Sequence, residues 1–76
     1  MQAYLFWYKT DPMASTEYMY VIAVSCKQAM YFWHNYLKNT LGYAYDYTRE
    51  PCDAIEGKDF YRRHEVGDIL GQNAVI

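Results

Sequence analysis

The spacing of apolar positions follows three rhythms in turn along the chain. Residues 3–9, AYLFWYK, are aromatic on both sides of a two-residue repeat: Tyr4, Phe6 and Tyr8 share one side, Leu5 and Trp7 the other. Successive side chains of a strand point to opposite faces, so this run predicts a first strand. TDPMAST interrupts it, with Asp11-Pro12 as a turn starter and small polar residues closing the loop. Residues 17–25, EYMYVIAVS, are rich in β-branched and aromatic types and predict a second strand. The seven-residue connection favours an antiparallel hairpin.

After this the repeat lengthens to that of a helix. Ser25-x-x-Gln28 is a capping-box pattern, in which the serine oxygen accepts from a free backbone N–H and the glutamine side chain reaches back. A helix over 26–41 follows, and Gly42 suits the left-handed conformation that commonly ends a helix. Helical spacing puts Cys26, Ala29, Met30, Trp33, Leu37 and Leu41 on one stripe, which predicts the core-facing side. Lys27, Gln28, Asn35, Lys38 and Asn39 lie on the far side. Tyr31 and Phe32 also fall outside the buried arc, where a solvent face does not require aromatics.

The third rhythm is GYAYDYTRE, with Tyr43, Tyr45 and Tyr47 at every second position, which predicts a third strand over 43–49 and a stripe of phenols on one face. It stops before Pro51, which restricts Glu50. PCDAIEGK reads as a loop. DFYRRHE fits a short helix with Asp59 at its N-cap or an extended segment, and VGDILGQNAVI fits a tight turn and a last short strand. The order of elements predicts one α+β domain over 1–76: a small, mainly antiparallel sheet of three or four strands with one long helix packed on one face. A single helix roofs only one face, so a tyrosine-bearing face is expected on the other.

Composition sharpens this expectation. Leu, Ile, Val and Phe together supply fifteen residues, so the apolar content leans on ten tyrosines, two tryptophans and four methionines. Tyrosine joins an apolar body to a hydroxyl that needs water or a partner, and a small core built from it leaves rings partly exposed. Such a domain gains little from its own burial, and self-association would add to its stability. The net charge of −2 argues against a basic nucleic-acid binder. No apolar run is long enough to span a membrane. MQAYLFWYKTDP lacks a basic start and a small-residue cleavage site, so a cytoplasmic location is expected. Cys26 and Cys52, 26 positions apart and without C-x-x-C spacing, read as reduced thiols, with one bridge between them as the alternative.

Candidate chemistry is thin. Cys26, His34, Cys52 and His64 are the metal-ligand types, but no close pair has ligand spacing, and Cys26 and His34 diverge by about 80° around a helix. Cys52 with His64, or Asp46 with Glu50, can be paired on paper, yet no nucleophile elbow, phosphate-cradling glycine loop or H-E-x-x-H surrounds them. No cofactor, metal or catalytic residue is therefore expected. Gly42, Tyr43, Ala44 and Tyr45 partly resemble the aromatic strand motif of RNA-recognition domains. Leu41, Asp46 and Thr48 stand where that family has a basic, an aliphatic and an aromatic residue, and a helix here directly precedes the motif. Arg62-Arg63 is the densest cationic spot, suited to a phosphate or an acidic partner or, more simply, to a solvated helix face.

The aromatic surplus remains. Tyr, Trp, Phe, Met and Arg are enriched at protein interfaces. The expected function is a non-enzymatic protein-interaction module, self-associating as a homodimer, with Tyr43, Tyr45, Tyr47, Tyr31, Phe32, Arg62 and Arg63 as its contact residues. On that reading Tyr4, Phe6 and Tyr8 extend the tyrosine face on a neighbouring strand. The size and lack of motifs also suggest an accessory protein of a phage or mobile element, such as an inhibitor of a host factor. The alternative is a single-stranded nucleic-acid binder using Tyr43, Tyr45 and Arg49. Small-ligand binding or catalysis would need a pocket lined by His34, His64 or Cys52.

Overall fold

The computed structural model describes residues 1–49, 54–55 and 63–71. The first two strands, β1 (Gln2–Lys9) and β2 (Glu17–Ala23), form the expected antiparallel hairpin, in register from Gln2 opposite Ala23 to Tyr8 opposite Glu17. Its turn is set by Asp11: the Ala14 amide donates to the Asp11 carbonyl at 3.1 Å, and the Met13 amide donates to Asp11 Oδ1 at 2.8 Å. Pro12 sits at the second turn position, where its fixed φ is already correct.

Ser25 caps the helix, as its position predicts. Its backbone is extended and its Oγ accepts from the Gln28 amide at 3.1 Å. Gln28 Oε1 reaches back one residue further than the usual capping box, to the Val24 amide at 2.8 Å. The helix α1 is regular only over Cys26–Tyr36 and widens into a π-helical turn over Leu37–Leu41. There the Gly42 amide donates to the Leu37 carbonyl at 2.9 Å, five residues back, and Gly42 adopts φ +74°.

Three short strands complete the sheet. β3 (Asp46–Tyr47) and β4 (Ala54–Ile55) both pair with the outer edge of β1, and β5 (Ile69–Gly71) pairs with β2, all antiparallel. The fold is therefore α+β: among the described residues, a small antiparallel sheet, β3-β1-β2-β5 across with β4 beside β1, and one helix on one face. The turn before β5 spans Glu65 to Asp68, where the Asp68 amide donates to the Glu65 carbonyl and Gly67 takes φ +100°. The Gly67 amide then donates to the Ile22 carbonyl while the Ile22 amide donates to the Asp68 carbonyl. Two residues oppose one, the bulge that glycine at positive φ permits, and it sets the register of β5.

The third strand is shorter than the predicted 43–49. The Lys9 carbonyl accepts from Tyr45 at 2.7 Å, although Asp46 stands opposite Lys9, and the Asp46 side chain takes the Tyr47 amide. At the other end the Thr48 hydroxyl, instead of a backbone carbonyl, accepts from the Trp7 amide at 2.8 Å, while the Thr48 amide donates to the Trp7 carbonyl. Regular alternation fails on both sides of Asp46–Tyr47, so Tyr43, Tyr45 and Tyr47 do not form one strand stripe. Of the segment 59–65, expected as a short helix or an extended run, residues 59–62 lie outside the described residues, Arg62 among them, as does Cys52, while Arg63, His64 and Glu65 lead into the Gly67 turn.

The core lies between α1 and the sheet. Trp33, wholly buried, has Phe6 at 5.1 Å and Tyr36 at 5.8 Å between ring centroids, both at 21° between planes, with Tyr8 tilted at 6.1 Å. Tyr4, Val21, Ala23, Ala29 and Leu37 complete the buried cluster, with Cys26, Met30 and Leu41 of the predicted stripe packed against it. Two expectations are corrected. Tyr4, Phe6 and Tyr8 belong to the helix-covered face, Tyr4 and Phe6 being buried, and not to an uncovered tyrosine face. Phe32 packs against the core and stands 3.8 Å from where a side chain on Gly67 would begin, so of the two off-stripe helix aromatics only Tyr31 is exposed.

Candidate functional site

Hydrogen bonding decides which side chains meet on the face away from α1. Trp7 turns its N–H and C=O to Thr48, and Ile22 turns its own to Gly67 and Asp68. The cross-strand pairs Trp7–Tyr18, Leu5–Tyr20 and Ala3–Ile22 are therefore non-hydrogen-bonded pairs, whose side chains approach most closely. Leu70 extends the Leu5–Tyr20 row from β5, and Ile55 stands beside Ala3 from β4. Ala3 and Ile22 are fully buried beneath Tyr20, Ile55 and Leu70, a cluster to which no described helical residue contributes. Towards the other end Leu5, Trp7 and Tyr20 are half-buried and Tyr18 is exposed. Lys9 and Asp46, opposite in register, mark one corner of this face with both signs of charge.

A second feature lies at the helix end. His34, Leu37, Lys38, Gly42, Tyr43, Ala44 and Tyr47 line an open cleft of about 390 Å³. His34 comes from the last regular turn of α1, Leu37 and Lys38 from the π-helical turn, and Tyr47 from β3. The His34 ring meets the Tyr47 ring edge-on at 6.0 Å, and the Arg49 guanidinium lies 5.3 Å from the Tyr47 centroid. Arg49 also pairs with Asp46 at 3.6 Å. Opposite Tyr47 on β1, burial raises the Tyr8 phenol above its ordinary range, with Tyr36 and then Glu17 adding to the shift.

The sequence-predicted contact residues are thus scattered. Tyr31, Tyr43 and Tyr45 are exposed, at 65%, 67% and 48% of their surface, while Tyr47 and Phe32 are half-buried. Arg63 is exposed, on the loop leading to the Gly67 turn. His34 faces the cleft, whereas His64 lies 3.5 Å from Asp68 in the Gly67 turn. The two are not brought into one site, and among the described residues no three His, Cys, Asp or Glu side chains gather as metal ligands.

Sequence reasoning missed the row Leu5, Trp7, Tyr18, Tyr20 and Leu70, and missed Lys38 as a cleft residue. The signal for the row was present in the hairpin register, which pairs odd positions of β1 with even positions of β2. No helix among the described residues is long and apolar enough to cross a membrane. No protein-family model, curated protein or solved structure matches the chain.

Proposed function

We propose that the chain is a non-enzymatic protein-interaction module that self-associates, two copies meeting through the sheet face turned away from α1. The observation that carries this reading is the row of half-exposed rings and aliphatics, Trp7–Tyr18 and Leu5–Tyr20–Leu70, on which no described helical residue packs. Aromatic side chains without charges among them are the usual centre of an interface. A second copy is the favoured occupant because a two-fold contact needs a self-complementary patch. Lys9 and Asp46, opposite in register at one corner of the apolar row, give this face both signs of charge, with Asp46 also paired to Arg49. An ordinary interface buries about 800 Å² on each partner, and a molecule of 34 × 24 × 20 Å has a broad side of about that area.

The nucleic-acid alternative has less behind it. Arg49 is engaged with Asp46 and the Tyr47 ring, and the chain as a whole is acidic. Sedimentation across a concentration series tests the favoured reading. The wild-type chain is expected to pass from monomer to dimer in the micromolar range, and Trp7→Lys or Tyr18→Lys to remain monomeric with unchanged circular dichroism. A wild-type chain that stays monomeric at several hundred micromolar refutes it.

A further inference from the structure

We infer that the cleft at the end of α1 binds a small aromatic anion, a planar ring carrying a carboxylate or a phosphate. The sheet-face contact is a separate surface, so this inference does not rest on it. Four observations converge. The volume, about 390 Å³, lies in the lower part of the range of small-ligand sites. Apolar lining is supplied by buried Leu37 and half-buried Ala44. Tyr43, two-thirds exposed, and half-buried Tyr47 also line the cleft, so that a ring entering it meets aromatic surface.

Charge supplies the polarity of the ligand. Among the described lining residues Lys38 and His34 are basic and none is a carboxylate, in a chain whose net charge is −2. Lys38 has no ion-pair partner among the described residues. The nearby carboxylate of Asp46 is held by Arg49 and by the Tyr47 amide, and it is not part of the lining. A lysine near a helix C-terminus has a simpler role, balancing the helix dipole. That role accounts for neither the exposed Tyr43 nor the open volume between the helix end and β3. Inorganic phosphate alone would meet one lysine and one histidine in an open cleft, whereas an attached ring adds the contact with Tyr43 and Tyr47.

The π-helical turn gives the cleft its shape. Because the Leu37 carbonyl accepts from Gly42, five residues on, Leu37 and Lys38 sit on a turn wider than that of a regular helix. Gly42 at φ +74°, with no atom within 4 Å of where its side chain would start, then leads the chain into Tyr43 across an open rim.

Titration of the isotope-labelled full chain, followed by amide chemical shifts, tests the inference. The probes are 4-hydroxybenzoate and phenyl phosphate, with benzyl alcohol as a neutral ring and inorganic phosphate as a ringless anion. At least one of the two ring-bearing anions is expected to move the Lys38, Gly42, Tyr43, Ala44 and Tyr47 amides in a saturable way, and their relative affinity distinguishes a carboxylate from a phosphate ligand. Lys38→Gln and Tyr43→Ala should each weaken that binding about tenfold, as loss of one charge-assisted or one ring contact does, while the remaining amides keep their positions. Absence of saturable shifts with both anions overturns the inference. Equal binding of the neutral ring or of phosphate alone, or unchanged affinity in Lys38→Gln, overturns it as well.

Discussion

Phe6 and Trp7 are neighbours in one strand, both large aromatics, and they have opposite fates. Phe6 is sealed against Trp33 beneath α1, while Trp7 stands half-exposed beside Tyr18 on the other face. The two faces of β1 have similar composition, with Tyr4, Phe6 and Tyr8 on one side and Leu5 and Trp7 on the other. Residue type therefore does not select the core in this chain. The helix does, by the side of the sheet on which the connection after Ala23 places it. The face with the richer tyrosine row became the interior, and on the face with the tryptophan no helical residue packs among the described residues.

The comparison is tested most severely by truncating one tryptophan on each face. Trp33→Ala is expected to lose about 3–5 kcal/mol, a large part of a small domain's stability, and to leave little cooperative melting. Trp7→Ala should lose roughly 1–2 kcal/mol in the monomer, because the side chain is already partly in water. Comparable losses in denaturant unfolding at low protein concentration would erase the distinction between the faces.

A smaller effect is expected at the bulge that aligns β5. Gly67→Ala should destabilise by roughly 1–2 kcal/mol through its backbone conformation, since the added methyl would meet Phe32 at an ordinary contact distance of 3.8 Å. The same register puts Ile69 on the covered face and Leu70 on the open one, so this variant should also weaken self-association. Ser25→Ala, which removes only the helix cap, is expected to cost about 1 kcal/mol with dimerisation unchanged.

The smallest effect concerns Tyr8 on the covered face. Its phenol is raised above the usual value near 10, mainly by burial, so the folded state favours the neutral form. The associated stability is present at neutral pH, up to the ordinary phenol range, and is lost as pH rises through the folded-state pKa. Denaturation compared at about pH 8 and about pH 11 should show a steeper alkaline loss for the wild type than for Tyr8→Phe. Equal slopes would mean that Tyr8 is as well solvated as a phenol on the open face.

What could be read from the sequence was governed by neighbours in the chain. The Asp11-Pro12 turn, the Ser25 cap, the Ala29–Trp33–Leu37 stripe and the stop at Gly42 each depend on residues within one turn, and each is present. What escaped depends on partners far along the chain. The Thr48 hydroxyl that takes the Trp7 amide lies 41 residues away, and with Tyr45 it breaks the alternation that the tyrosine spacing implied. Neither β4, two residues within a segment read as loop, nor the widened helix end has a local sequence rule to announce it. The candidate surfaces followed the same division: Tyr43 and Tyr45 could be recognised as surplus aromatics, whereas their separation from Tyr47 and the assembly of Trp7 with Tyr18 required the pairing of strands.

The widened turn between Leu37 and Gly42 holds one residue more than an α-helical turn would. Deleting a single residue there, Thr40 for instance, would restore the regular count and swing Gly42 and Tyr43 around the helix axis, without altering any wall-forming side chain. The recess is thus a matter of chain length more than of amino-acid identity. A one-codon deletion would remove it at a stroke, whereas most exposed substitutions around it would leave its outline intact.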